Sequence, residues 1–158
     1  MKSDLLKDRK KEKGQALVEF ALTFTLFLFL VVGIIEVGRL LFYTTAITTA
    51  AREGARYGSA VGGFGEPIYY EDCPGITDAT IRIGQYAGVR EWDVDISYED
   101  EYGSDKGLCR SDAPIYLRDR IVVSVSGRYV PFAGFVNLPE YEFSSTSRRS
   151  IAKDVEVK

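Results

Sequence analysis

The chain has 158 residues, 46% hydrophobic and 27% charged, with a formal net charge of −3, two cysteines and no histidine. The acidic balance argues against nucleic acid as a partner, and the lack of histidine removes the commonest general base. The charge is unevenly spread: residues 1–14 hold Lys2, Lys7, Arg9, Lys10, Lys11 and Lys13 against Asp4, Asp8 and Glu12, a net +3 that leaves −6 for everything after Gly14.

Residues 14–35 read GQALVEFALTFTLFLFLVVGII, and no charged residue occurs between Glu19 and Glu36. About 20 apolar residues, rising 1.5 Å each, cross a bilayer core of about 30 Å, so residues 15–35 are expected to form a transmembrane helix. The apolar residues occupy every helical face, which a half-buried surface helix does not need. Lys and Arg before the first span hold that flank in the cytoplasm, so the chain after Ile35 is expected outside, as a single-pass protein of the cytoplasmic membrane. No small-residue cleavage site ends the apolar run, so the anchor is expected to stay attached.

The run has two other marked positions. Gly14 closes the basic leader, and Glu19 lies five residues after it inside the apolar span. Near a boundary Glu19 can reach headgroup water, but a carboxylate inside the span costs a few kcal/mol unless it finds a partner. A basic leader, a glycine, a carboxylate five residues on and an uncharged span together resemble the class III signal of type IV pilins and pseudopilins. The resemblance narrows with Gly14-Gln15-Ala16-Leu17-Val18-Glu19-Phe20, Glu36-Val37-Gly38-Arg39 and Ala50-Ala51-Arg52-Glu53-Gly54-Ala55-Arg56-Tyr57. These residues resemble the opening of TadE-like proteins, pseudopilins of tight-adherence (Flp) pilus loci, over about the first third of the chain.

The resemblance implies that a prepilin peptidase removes residues 1–14 by cutting between Gly14 and Gln15. It further implies that Glu19 of one subunit neutralises the new α-amino group of Gln15 on a neighbour. The implied partners are the membrane, other pilin-like subunits through the N-terminal helix, the peptidase and the pilus assembly platform proteins. The implied place is the cytoplasmic membrane, then a filament after processing. An outer region this large, beside the very short Flp major pilins, favours a minor subunit. An uncleaved, membrane-anchored adaptor of the cell envelope is the alternative.

Residues 36–59 are expected to carry the helix into solvent, opening an exported domain over 36–158. Val37, Leu40, Leu41, Ile47, Ala51 and Ala55 recur at helical spacing, with Arg39, Thr48, Arg52 and Arg56 mainly on other faces. Glu36 with Arg39, and Glu53 with Arg56, stand at the i,i+3 spacing of exposed pairs. Ala46, Ala50, Gly54 and Gly58 fall every fourth residue and form a smooth ridge for close backbone approach, either by the domain's own sheet or by a neighbouring subunit. Gly58 is expected to end the helix. Residues 61–74, with Gly62-Gly63-Phe64-Gly65-Glu66-Pro67, are expected to form a loop without phosphate-loop spacing.

A short helix is expected from Thr77 as N-cap, with Asp78 in its first turn, to near Gly88. Residues 92–98 alternate as a strand with Trp92, Val94, Ile96 and Tyr98 on one face. Residues 120–130 form a β-branched strand with Ile121, Val123 and Val125 on one side, and the more polar residues 141–151 an edge strand. Residues 131–139, with Phe132 and Phe135, connect the last two. The expected fold is α+β: a long N-terminal helix packed on a small, three-stranded antiparallel sheet.

Cys73 and Cys109 meet an oxidising environment if exported and permit one intramolecular pairing, so a disulfide is expected. Two cysteines without histidine fall short of a zinc site. The acidic run 98–105 lacks the calcium-loop arrangement and is expected to be a solvated hairpin tip. The sequence certifies no catalytic constellation, cofactor or metal ligand, and an enzyme is not expected.

Overall fold

The computed structural model describes residues 2–60, 69–109, 115–116, 118–131 and 140–151, with side chains from Gly14 onward. The chain divides into two units, Met1–Arg39 and Leu40–Lys158. Helix α1 (Lys2–Gly58) supplies all of the described first unit and opens the second.

In the first unit nearly every large apolar side chain from Leu17 onward is exposed. The helix there is held by its own ladder and local contacts. Thr23 and Thr25 donate their hydroxyls to the carbonyls of Glu19 and Ala21, four residues back, at 2.9 and 2.8 Å. Back-bonding of this kind lets a hydroxyl sit on an apolar helix without an unmet donor.

The second unit is α+β. After residues 40–58 of α1 come helix α2 (Cys73–Gly84) and four strands, β1 (Val94–Glu99), β2 (Asp105–Leu108), β3 (Arg120–Tyr129) and β4 (Tyr141–Ser150). The sheet is antiparallel throughout in the order β2-β1-β3-β4, with short 3₁₀ turns at Tyr69–Glu71, Gln85–Ala87 and Glu91–Asp93. Its levels are fixed by register: Leu108, Ser97, Val122 and Arg148 lie in one row across the four strands, and Asp105, Glu99, Arg120 and Ser150 in another.

One face of the sheet carries the core. Ile96 and Tyr98 of β1 and Ile121, Val123 and Val125 of β3 pack with Ile47, Ala51 and Ala55 of α1 and Ile76 of α2. Two glycines show how α1 lies. A Cβ on Gly127 would fall 2.5 Å from Tyr43 Oη and 2.9 Å from Ile47 Cδ1, while one on Gly58 would strike Ile121 Cδ1. Residues 43–58 therefore run antiparallel along β3, from its Gly127 end to its Ile121 end.

Several boundaries differ from the sequence reading. The sheet has four strands, because Asp105-Lys106-Gly107-Leu108 pairs with β1; its polar side chains, glycine and shortness gave no alternation to read. Helix α2 starts at Cys73, four residues before Thr77. Asp72 is its N-cap, accepting from Gly75 N at 3.0 Å, with Pro74 in the first turn, and Thr77 instead donates to the Cys73 carbonyl at 2.9 Å. Its far end meets the expectation: a 3₁₀ turn leads to Gly88, whose φ of 72° suits glycine.

Trp92 does not join the strand face. It sits in the 3₁₀ turn, 73% exposed, under the Arg90 guanidinium at 5.1 Å. The expected helical stripe also begins later, since Val37 and Leu41 are exposed and burial starts with Tyr43, Ala46 and Ile47. Of the expected loop 61–74, residues 61–68 lie outside the described residues, while Cys73 and Pro74 belong to α2. The connection 132–139 also lies outside them.

Candidate functional site: the N-terminal helix and its packed continuation

Gly14, Gln15 and Glu19 occupy exposed positions on α1, which is helical through Gly14 without a break. A side chain placed at Gly14 would meet no atom within 4 Å. From Leu17 onward the helix presents uncovered Leu, Phe, Val and Ile on all sides, with Phe20 and Phe24 stacked at 5.6 Å. An apolar surface of this kind needs lipid or other helices to cover it. Among the described residues there is one helix long and apolar enough to cross a membrane, within Gly14–Gly58. The first charges after Glu19 form a local pair, Glu36 Oε2 to Arg39 Nη1 at 3.0 Å.

The continuation is built for contact with its own domain. Ala46, Ala50, Gly54 and Gly58 are all buried, and each glycine marks a close approach. A Cβ at Gly54 would collide with Thr80 Oγ1 of α2 and stand 3.2 Å from Val123 Cγ1 of β3. The small residues thus let α2 and β3 come down onto the helix. On the other side, Arg52 and Arg56 are exposed. Arg56 clasps Glu53 through Nε at 2.9 Å and Nη2 at 2.6 Å, and Arg82 of α2 lies 3.7 Å from the same carboxylate. The Arg56 hydrogen bond holds the Glu53 carboxyl below its ordinary range.

Cys73 and Cys109 are bonded, with Cα atoms 5.9 Å apart, tying the start of α2 to the end of β2. Beside them lies Tyr98, a residue the sequence reading placed only as a strand side chain. It is buried, donates its hydroxyl to the Tyr70 carbonyl and has Oη 2.9 Å from Cys109 Sγ. Burial, with Glu71 nearby, pushes its pKa up to about 12.

Two other polar anchors were missed. Asp72 takes Tyr57 Oη at 3.0 Å as well as capping α2, which an Asp two residues before a proline does signal. Asp119 is buried and accepts from Lys106 Nζ at 2.5 Å and Tyr116 N at 2.6 Å, a pairing without any local signature. The acidic run proves to be a turn in which Asp100 accepts from Tyr102 N at 2.9 Å and Ser104 N at 2.7 Å.

A groove of about 420 Å³ lies beside the disulfide, lined by Cys73, Asp78, Ile81, Glu91, Val94 and Leu108 among others. A second of about 430 Å³ lies by Asp93, Arg128 and Glu142, where β3 ends and β4 begins. Among the described residues no three Asp, Glu, Cys or His side chains gather as metal ligands. What remains is an exposed apolar helix followed by an α+β unit with its own core.

Residues 14–56 match the family model of TadE-like proteins. The resemblance read from the sequence therefore holds over those residues. TadE-like proteins are a pilus-related structural family, and the match to them is confined to residues 14–56 of the 158. No curated protein and no solved structure gives a significant match.

Proposed function

We infer that this chain is a pilin-like subunit, of the minor class, for assembly of a tight-adherence pilus or its related secretion machinery. One observation carries the reading: the residues that match the TadE-like family open with an uncovered apolar stretch, 14–35, whose one carboxylate, Glu19, stands five residues after Gly14. In this reading the basic leader stays in the cytoplasm, a prepilin peptidase cuts after Gly14, and the helix remains as the anchor. The new amine of Gln15 then pairs with Glu19 of an adjoining pilin-like subunit, and the domain that begins at Leu40 is displayed outside.

The test is N-terminal sequencing and intact mass of membrane-extracted protein. A chain starting at Gln15 is expected. Gly14→Phe should block processing and accumulate precursor, and because nothing lies within 4 Å of that position the substitution should leave the helix intact. Wild-type protein that starts at Met1 would overturn the reading in favour of an uncleaved, membrane-anchored adaptor.

A further inference from the structure

The sheet has two unlike ends. At one, Asp100, Glu101 and Asp105 stand around the β1–β2 turn and β4 closes on Arg148 and Arg149, so that end is charged. At the other, large and mostly apolar side chains are exposed: Phe42 on α1, Trp92 in the turn before β1, Val130 just past β3 and Tyr141 at the start of β4. None of these four belongs to the core cluster.

Register and contacts bring them to one level. Tyr129 stands opposite Tyr141 in the sheet, and the Tyr43 ring lies 5.4 Å from Tyr129 and 6.1 Å from Phe143, so α1 begins its packed course at this end. Val94 stands opposite Val125, and Ser126 donates its hydroxyl to the Asp93 carbonyl at 3.4 Å, which sets the turn 91–93 beside the end of β3. Charges here are met locally: Arg128 holds Glu140 at 3.2 Å and Glu142 at 3.8 Å, and the Arg90 guanidinium lies over the Trp92 ring. In sequence, residues 131–139 between β3 and β4 contain no charged side chain.

We propose that this end of the sheet is an interfacial membrane contact, with Trp92, Val130 and Tyr141 entering the headgroup layer of the bilayer that holds residues 15–35. A lipid surface fits it better than another protein. The chain enters the unit at this end, and α1 rises only about 12 Å from Ile35 to Tyr43, whatever angle the unit takes to the anchor. Tryptophan and tyrosine, which join an apolar body to a polar edge, collect at the membrane–water boundary. Glu91 and Asp93 flank Trp92, so the lipid is zwitterionic and not anionic. The contact rests on the membrane anchor of the functional reading, and on neither cleavage nor assembly.

Trp92 is the one tryptophan of the chain, so its fluorescence reports the contact. The test places the full-length chain in nanodiscs of phosphatidylcholine, either plain or brominated in the upper acyl chain. Emission is expected to be about two-fold weaker in the brominated discs, because interfacial side chains reach the boundary of headgroup and acyl chain. Val130→Asp sets a carboxylate in the contact and should return most of the lost emission, while Val130→Ile should not. Val130 is exposed, so thermal unfolding should be alike in all three chains. Equal emission from the two kinds of disc would overturn the proposal, as would quenching that Val130→Asp leaves intact.

Flotation with liposomes keeps the two readings apart. A chain that floats without quenching refutes the contact and leaves the anchor standing, whereas a chain that fails to float refutes the anchor and the contact with it. In native membranes, p-benzoylphenylalanine in place of Val130 should give lipid adducts on illumination. An adduct to a protein instead would overturn the lipid assignment in favour of a protein partner.

Discussion

Gly54 shows how one residue can set both a local and a long-range condition. In an exposed helix Gly→Ala gains up to about 1 kcal/mol from propensity. Here the added methyl enters Thr80 Oγ1, and Thr80 is fully buried and held to the Ile76 carbonyl at 2.8 Å. Overpacking should win: Gly54→Ala is expected to lose about 2 kcal/mol in denaturant unfolding, and Thr80→Ala in the same chain to recover part of it. Additive losses would mean the contact is not the cause. Tyr98 gives a pH signature. Its pKa is raised from 10.0 to about 12 in the fold, chiefly by burial. The folded state thus favours the neutral phenol, a stability fully present below pH 10 that falls as pH rises towards 12. Tyr98→Phe should flatten part of that alkaline loss while costing about 1–2 kcal/mol at neutral pH for the hydrogen bond to Tyr70. An unchanged alkaline slope would assign the loss to other tyrosines.

At the scale of elements, the disulfide ties the start of α2 to the end of β2, a strand with no buried residue. Cys73 opens α2 and Cys109 follows the four-residue β2, 36 positions later in sequence. Closing a loop of that size is worth about 3–4 kcal/mol through the unfolded chain. The double Cys73→Ser, Cys109→Ser variant should therefore unfold at clearly lower denaturant, with hydrogen exchange rising first in β2 and the start of α2. Uniform exchange across the sheet would contradict that placement. The same elements mark the limit of sequence reading. α1 and β3 were legible because long apolar or β-branched runs repeat one signal over many residues, and the polar alternation of Tyr141–Ser150 was enough to put β4 at an edge. β2 and the true start of α2 were not, because each depends on a few contacts made across the chain. Trp92 misled the reading because alternation alone does not distinguish a residue of the turn Glu91–Asp93 from the first residues of the strand that follows it. For the site, the anchor and the family motif stood in consecutive residues. The partners of that motif, Thr80 and Val123 above all, are brought to it only by the fold.

For the whole molecule the decisive group is Glu19, because it separates insertion from assembly. If its carboxylate only reached headgroup water, Glu19→Gln would leave insertion, processing and partner binding alike nearly unchanged. If it neutralises the amine of Gln15 on a neighbouring subunit, the variant strands that amine among apolar helices. The expected penalty is about 3 kcal/mol or more, close to a hundred-fold loss of association. Insertion should survive, since removing a charge makes the span more apolar. Processing should survive as well, because the cut lies at Gly14. The domain from Leu40 onward keeps its own core and disulfide, so its folding is expected to be untouched. The measurement compares crosslinking or co-purification of pilin-like partners between wild type and Glu19→Gln at equal membrane abundance. Recovery should fall steeply in the variant, and undiminished recovery would reduce Glu19 to a boundary residue with no part in assembly.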